Sequence, residues 1–260
     1  MLINNPFSEL FLAFPPLLIK CFVLAMILCV LFGTLIDLAH KKSAKYFFSN
    51  AEKEKKSKKH EISGGTMFSL ILRTTLVEIL SSGEFCNLRR RLAHLLTMYG
   101  FIGYALATAV MVFAYEGNEV VPDIFPILWH VGAAMICLGG YWFWFFIRVD
   151  LVAEGNSLFR FVRADLFVIA LTGNATFGLI WSYMQLTGNV WDFLAFGLYL
   201  ISATVLFGSV PWSKFSHMFY KPAAAIQKNV SMANGSRRNL PVPSDRPAIL
   251  GKPERKTSNY

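Results

Sequence analysis

The sequence predicts an all-α polytopic membrane protein: a five-helix transmembrane bundle with its N-terminus outside the cell and its C-terminus in the cytoplasm. Three observations lead to this fold class. The 260-residue chain is 55% hydrophobic and only 16% charged, whereas a soluble domain carries about 25% charged residues. Five stretches are long and apolar enough to cross about 30 Å of hydrocarbon. The connections between these stretches alternate between basic and non-basic.

Each predicted span is a run of about 20 mostly apolar residues, the length that a transmembrane helix needs. The runs cover residues 15–36, 93–114, 124–147, 165–187 and 192–212. The first run lacks the positive start and the cleavage site of a secretory signal, so we expect it to remain as a membrane span. The predicted domains are a first transmembrane helix (1–36), a basic cytoplasmic loop (37–92), a four-helix membrane core (93–222) and an extended cytoplasmic tail (223–260).

The distribution of Lys and Arg predicts the orientation. Segment 37–92 holds twelve, segment 148–164 three, and the tail from residue 213 nine, which leaves only Lys20 in the first span. Connections 115–123 and 188–191 hold none. Because basic residues accumulate on the cytoplasmic side of a membrane, the N-terminus is expected outside and the C-terminus inside. The net charge of +9 is then an orientation signal, and nucleic-acid binding is not expected.

Two soluble parts are predicted on the inner side. The lysine-rich run at 53–59 is interpreted as solvated, with contact to anionic lipid or an acidic partner as the alternative. From residue 64 to 87, apolar residues recur at spacings of three and four, which indicates a helix along the inner interface. They are Met67, Leu70, Ile71, Leu76, Ile79 and Leu80. The tail after Pro222 is polar and proline-rich, as in an extended arm that lies on a partner.

Five histidines and four cysteines limit the redox chemistry that the chain itself can support. The cysteines form no CxxC pair, so no zinc ribbon, iron–sulfur cluster or c-type haem attachment is encoded. His40 and His60 lie in basic segments and are interpreted as surface residues. His94, His130 and His217 lie in or against predicted spans, where an ionisable residue indicates a functional site.

His94 and His217 are candidate axial ligands of a b-type haem iron. His94 follows three arginines at the cytoplasmic start of the second span, and His217 follows the cytoplasmic end of the fifth. Two histidines at matching depth on antiparallel helices are what a bis-histidine haem needs. The alternative is a pair of interfacial histidines that bind nothing.

His130 lies about 9 Å into the third span from the outer side, too far to share a porphyrin with His94 or His217. Trp129 lies beside it, and acidic residues precede the span. A neutral histidine can bind a quinone oxygen and take up a proton, so His130 is a candidate quinone site. The alternative is a helix–helix hydrogen bond to Asn174 or Thr176.

Segments 93–104 (AHLLTMYGFIGY) and 211–222 (PWSKFSHMFYKP) resemble a family of membrane cytochrome b subunits related to the nitrate reductase gamma subunit. That family includes the membrane subunits of heterodisulfide reductase-like and sulfite-reductase-associated complexes. The resemblance covers most of residues 64–222. It implies a haem b protein of the prokaryotic plasma membrane that passes electrons between membrane quinone and a cytoplasmic iron–sulfur subunit, with other membrane subunits as further candidate partners.

The sequence departs from the family pattern at the outer haem. Family members carry a histidine ten residues after the first ligand and another eighteen before the last, and these positions are Tyr104 and Tyr199 here. We therefore expect a single inner haem and expect the two tyrosines to hydrogen-bond or pack. The alternative is a second haem held by His130 and Met184.

Residues near the predicted haem have two interpretations each. Gly100 and Gly103 would let a flat macrocycle approach the second span, but glycine is also common at membrane helix contacts. Arg90, Arg91 and Lys214 are candidate partners of the haem propionates, or are anchors on the cytoplasmic side. The competing function is a haem-free structural anchor for a membrane complex. A transporter is disfavoured because spans two to five carry no charged residue midway.

Overall fold

The computed structural model describes most of the chain and all of the predicted spans. The described residues are 2–40, 43–83, 85, 87–115, 120–148, 163–213 and 215–236. Within them all regular secondary structure is helical, which confirms the predicted all-α class.

The helices follow the hydropathy of the sequence. In chain order they are α1 (Ser8–Ala13), α2 (Pro16–His40), α3 (Ser43–Ser57), α4 (Gly64–Arg73, continued as a π-helix over Thr74–Leu80), α5 (Leu88–Phe113), α6 (Ile124–Trp142, continued as a π-helix over Phe143–Ile147), α7 (Leu166–Leu186), α8 (Asp192–Gly208) and α9 (His217–Ala233). Among the described residues, α2, α5, α6 with its π-helical extension, and α7 are long and apolar enough to cross a membrane. Helix α8 is apolar but has only 17 residues.

The chain divides into two compact units. The membrane unit comprises Met1–Lys41 and Leu88–Met218, and the peripheral unit comprises Lys42–Asn87 and Phe219–Tyr260. The first predicted span therefore belongs to the same unit as the four later ones.

Glycines let the helices of the membrane unit approach closely. A Cβ atom on Gly100 of α5 would lie 2.7 Å from the carbonyl oxygen of Gly132 on α6, and a Cβ atom on Gly132 would lie 2.7 Å from the carbonyl oxygen of Gly100. Gly140 of α6 faces Thr172 of α7 in the same way. Small residues are typical of such interfaces because lipid offers no hydrophobic force to press helices together, so packing must supply the attraction.

The N-terminal segment is part of the membrane unit. Phe7, Leu10 and Phe11 are buried, and the Phe7 ring packs edge-on against Trp129 at 6.0 Å and Trp181 at 5.8 Å between ring centroids. This short helix was not foreseen, because its six residues are far too few to span a membrane.

The peripheral unit is held by asparagine side chains of its C-terminal part. Asn229 of α9 donates hydrogen bonds to Thr74 Oγ1 at 2.9 Å and to Glu78 Oε1 at 2.7 Å. Asn234 donates to Glu54 Oε1 at 2.8 Å. Buried polar side chains need such partners, so these bonds fix which face of each helix points inward.

The tail differs from its prediction. Residues 223–233 belong to α9, although an extended arm was expected from residue 223. Pro222 lies inside the helix, where it removes one backbone hydrogen bond and its ring crowds the carbonyl of the residue four positions earlier. Bonds from Asn229 and Asn234 to the rest of the peripheral unit compensate. The remainder of the predicted arm, from residue 237, lies outside the described residues.

Candidate functional site

The five histidines occupy three kinds of place. His40, at the end of α2, and His60 are exposed, as expected of surface residues. His94 and His217 are half-buried. His130 is buried, with 1% of its surface exposed.

His94 lies in the second turn of α5, as predicted. Arg90 and Arg91 precede it in the first turn, and both are half-buried. Lys214, the third candidate for propionate contact, lies outside the described residues.

His217 lies beyond the fifth predicted span and begins a new helix. Helix α8 ends at Gly208, and His217 is the first residue of α9. Between them Ser209 accepts bonds from the backbone N–H groups of Trp212 and Ser213. Pro211 lacks an N–H and cannot continue a helical hydrogen-bond ladder, so the chain turns here before α9 begins.

Aromatic and polar contacts fix this turn against three helices. The ring of Phe215 packs edge-on against Phe101 of α5 at 6.1 Å and Phe167 of α7 at 5.4 Å. The imidazole of His217 packs on Phe167 at 6.2 Å. The hydroxyl of Ser216 donates a 2.5 Å hydrogen bond to Oδ2 of Asp37, near the end of α2.

These contacts assign both candidate haem ligands to one end of the membrane unit. His94 precedes Phe101 by seven residues, about 10.5 Å along α5 toward its start. His217 follows Phe215, which touches Phe101. Both histidines thus lie toward the end of the membrane unit at which α5 and α7 begin.

Gly100 and Gly103 do not face a haem slot. A Cβ atom on Gly100 would meet the backbone of Gly132 on α6. A Cβ atom on Gly103 would lie 2.9 Å from Cδ1 of Leu128, which also belongs to α6. Both glycines therefore serve the close contact of α5 with α6. This corrects the interpretation that they admit the macrocycle and favours its alternative, an ordinary helix contact.

His130 lies in the opposite half of the bundle and has a protein partner on each ring nitrogen. Nδ1 lies 2.8 Å from the carbonyl oxygen of Pro126, so it carries the proton and donates, and Nε2 accepts from Oγ of Ser182 on α7, also at 2.8 Å. This arrangement is an interhelical hydrogen bond, although its partner is Ser182 and not Asn174 or Thr176. Neither nitrogen is available as an iron ligand while these bonds persist.

Tyr104 and Tyr199 lie close together in a filled core. The Tyr104 ring lies 5.0 Å from Trp129, and the Tyr199 ring stacks on Trp181 at 5.5 Å. The Tyr104 hydroxyl would lie 2.9 Å from a Cβ atom on Gly178. The two tyrosines therefore pack on tryptophans, which is one of the two arrangements expected of them.

Asn174 secures the backbone beside Tyr199. Its amide donates to the carbonyl oxygen of Tyr199 at 3.1 Å and to Oγ of Ser202 at 3.4 Å. A buried amide with partners on the next helix fixes the pairing of α7 with α8.

A buried ion pair joins the end of α6 to the start of α7. Arg148 donates to Oδ2 of Asp165 at 2.5 Å and lies over the Trp144 ring at 3.9 Å from its centroid. Only 7% of the Arg148 side chain and 14% of the Asp165 side chain are exposed. In the sequence, Arg148 is one of the basic residues that predict the cytoplasmic side. Nothing in the spacing identifies Asp165, 17 residues away, as its partner.

Comparison with known proteins adds no relative. No protein-family model, curated protein or solved structure was found to match the chain.

Proposed function

We propose that the chain is a membrane cytochrome b subunit that holds one haem b between His94 and His217. In this proposal it passes electrons between membrane quinone and a cytoplasmic iron–sulfur subunit. It spans the plasma membrane of a prokaryotic cell five times, with its N-terminus outside.

Helix length and charge support the five spans and their orientation. Helix α8 is about 26 Å long at 1.5 Å per residue, so with the residues of the following turn it approaches the thickness of the hydrocarbon. The alternation of basic and non-basic connections favours a cytoplasmic position for His94 and His217.

The observation that carries the proposal is the position of His94 and His217 at one end of the membrane unit. Bound there, a haem would supply a one-electron carrier near the inner surface. The imidazoles of His94 and His217 would hold the iron, while Arg90, Arg91 and Lys214 are placed in sequence to neutralise the propionates. The hydrogen bond from Ser216 to Asp37 would hold the turn that presents His217.

The quinone and protein partners follow from the same proposal. His130 is the candidate for quinone binding, and it would have to exchange the Ser182 hydroxyl for a quinone oxygen. The basic segments 37–92 and 213–260 offer charge complementarity to an acidic soluble subunit. Substrate chemistry would belong to that subunit, because the chain encodes no cluster ligands in CxxC pairs.

A haem-free structural anchor is the second candidate function. The specific observation in its favour is the dense packing of the core, in which Gly100 and Gly103 contact α6 and the pair Tyr104 and Tyr199 packs on tryptophans. An anchor needs only stable spans and a docking surface.

The absorption spectrum of the purified full-length protein, oxidised and dithionite-reduced, separates the two candidates. A cytochrome b shows the alpha band of a reduced b-type haem, and His94→Ala or His217→Ala abolishes it. His40→Ala and His60→Ala are matched controls that retain the band, because these histidines are exposed. Absence of the band in a well-folded parent protein refutes haem binding and supports the anchor. A band retained in the His94→Ala/His217→Ala double variant shows that other residues hold the iron.

A further inference from the structure

Helix α4 and its π-helical continuation present their apolar side outward. Six large apolar residues are exposed along one broad face: Phe68, Ile71, Leu72, Leu76, Val77 and Leu80. Phe68, Leu72 and Leu76 follow one another at spacings of four and are 69%, 47% and 52% exposed. An exposed apolar stripe of this size marks an interaction surface.

Thr74 and Glu78 of the same helix face α9, whereas Ser69 and Arg73 are exposed. Thr74 is 3% exposed, and it and Glu78 accept the hydrogen bonds of Asn229. Lys228 adds an ion pair to Glu78 at 4.0 Å. These contacts fix the rotation of the helix, so the outward direction of the apolar stripe is set by the fold.

A second exposed part of the peripheral unit, bound like α4 by an asparagine of its C-terminal part, is basic. Lys53, Lys55, Lys56, Lys58 and Lys59 are all exposed at the end of α3 and just after it. Glu54, the acidic residue among them, is buried and bound by Asn234. Apolar side chains combined with nearby lysines are typical of a surface that lies on an anionic bilayer.

Short connections tether the peripheral unit to two candidate membrane spans. Only residues 41–42 separate α2 from α3, and only residues 81–87 separate the π-helix from α5. A seven-residue connection spans at most about 25 Å when fully extended, and both α2 and α5 are candidate membrane spans.

We propose that the stripe from Phe68 to Leu80 binds the surface of an anionic lipid bilayer, with its side chains at the headgroup–acyl boundary and with Lys53–Lys59 on the lipid headgroups. The inference is independent of haem binding. We expect Phe68, Leu72 and Leu76 to lie deepest in the bilayer. The sequence pattern alone had placed Met67 and Leu70 on the apolar face.

The test places nitroxide spin labels on the full-length protein in lipid nanodiscs. In a background with its four cysteines replaced, Leu72→Cys and Leu76→Cys are labelled, and collision rates with oxygen and with a water-soluble nickel chelate are compared. Leu24→Cys, on the exposed side of α2, is the lipid-facing control, and Val120→Cys, in the connection before α6, is the aqueous control. The expected oxygen-to-nickel ratio at 72 and 76 is several-fold above that at 120 and approaches that at 24.

Two results at positions 72 and 76 would overturn the proposed contact of the stripe with lipid. A ratio at 72 and 76 equal to that at 120 shows that water covers the stripe. Labels shielded from both reagents show that protein covers it, either a second copy or another chain. The headgroup contact is tested with a label at Lys59→Cys, which should lose mobility in nanodiscs that contain phosphatidylglycerol but not in purely zwitterionic ones. If the label at residue 59 is equally mobile in both kinds of nanodisc, the contact with anionic headgroups is refuted.

Discussion

The hydroxyl of Ser216 donates a 2.5 Å hydrogen bond to the carboxylate of Asp37, although 179 residues separate them in the chain. Both residues are buried, with 0% and 1% of their surface exposed. The bond joins the last turns of α2 to the residue before His217. The membrane unit is thereby closed at the end that carries both candidate haem ligands.

Replacement of Ser216 by alanine should destabilise the membrane unit. The substitution removes a donor from a buried carboxylate, a loss that costs about 1–3 kcal/mol in free energy of unfolding. Thermal unfolding in detergent measures the change. Ser209→Ala is the control, because its hydroxyl makes only a long 3.4 Å bond to the carbonyl oxygen of Leu206. Equal losses in the two variants would argue against a special role for the bond to Asp37.

The positions of the four longest apolar helices could be predicted from the sequence, whereas the partners of their polar residues could not. A membrane span needs about 20 apolar residues, and that requirement is local. Asp37 and Ser216 are too far apart in sequence for any periodic pattern to connect them. The tyrosine pair was located by comparison with a family pattern, but its packing on Trp129 and Trp181 depends on the rotation of helices that are apolar all round.

The residues that follow α8 carry a local signal for a turn, which the predicted fifth span did not take into account. The fifth predicted span runs to residue 212, but the helix stops at Gly208 and a new one begins at His217. Gly208, Ser209 and Pro211 together are poor helix formers. Their combined effect is a turn, which makes His217 the start of α9.

Alanine at Gly100 should force α5 and α6 apart. Its Cβ atom would lie 2.7 Å from the carbonyl oxygen of Gly132, and overpacking of a tight contact costs about 1–3 kcal/mol. Gly197→Ala on α8 is the matched control, since a Cβ atom there meets nothing within 4 Å. We expect Gly197→Ala to unfold at or slightly above the parent temperature, while a neutral Gly100→Ala would contradict the observed helix contact.

The Arg148–Asp165 pair should matter far more than an exposed pair. Removing one partner of a buried ion pair costs about 3–5 kcal/mol, so Asp165→Asn should lower the unfolding temperature markedly. Lys58 and Glu61 form the matched exposed pair at 2.6 Å, in which Lys58 lowers the pKa of Glu61. Solvent screens this pair, so Lys58→Gln should leave the unfolding temperature unchanged at neutral pH. Similar shifts in both variants would contradict the difference in burial.

His130 and Ser182 allow the quinone proposal to be tested apart from packing. Ser182→Ala removes one interhelical hydrogen bond, worth about 0.6 kcal/mol on average in a membrane, and leaves the imidazole in place. If His130 binds quinone, His130→Gln should abolish reduction of the haem by a quinol while Ser182→Ala retains it. The measurement is the rate at which the alpha band appears after quinol addition. If both variants are still reduced at the parent rate, the quinone role of His130 is refuted and only its structural hydrogen bond remains.

Histidines introduced at Tyr104 and Tyr199 should not create a second haem site. The double variant Tyr104→His/Tyr199→His restores the ligand pattern of the resembling family, but Trp129 and Trp181 still fill the space beside the new imidazoles. The haem-to-protein ratio, measured from the absorption of the extracted haem against total protein, should equal that of the parent protein. A matched variant that adds Trp129→Ala opens the core and tests whether space was the limit. A higher ratio in the Tyr104→His/Tyr199→His variant, without Trp129→Ala, would contradict this expectation. It would show that the core rearranges to admit a second haem.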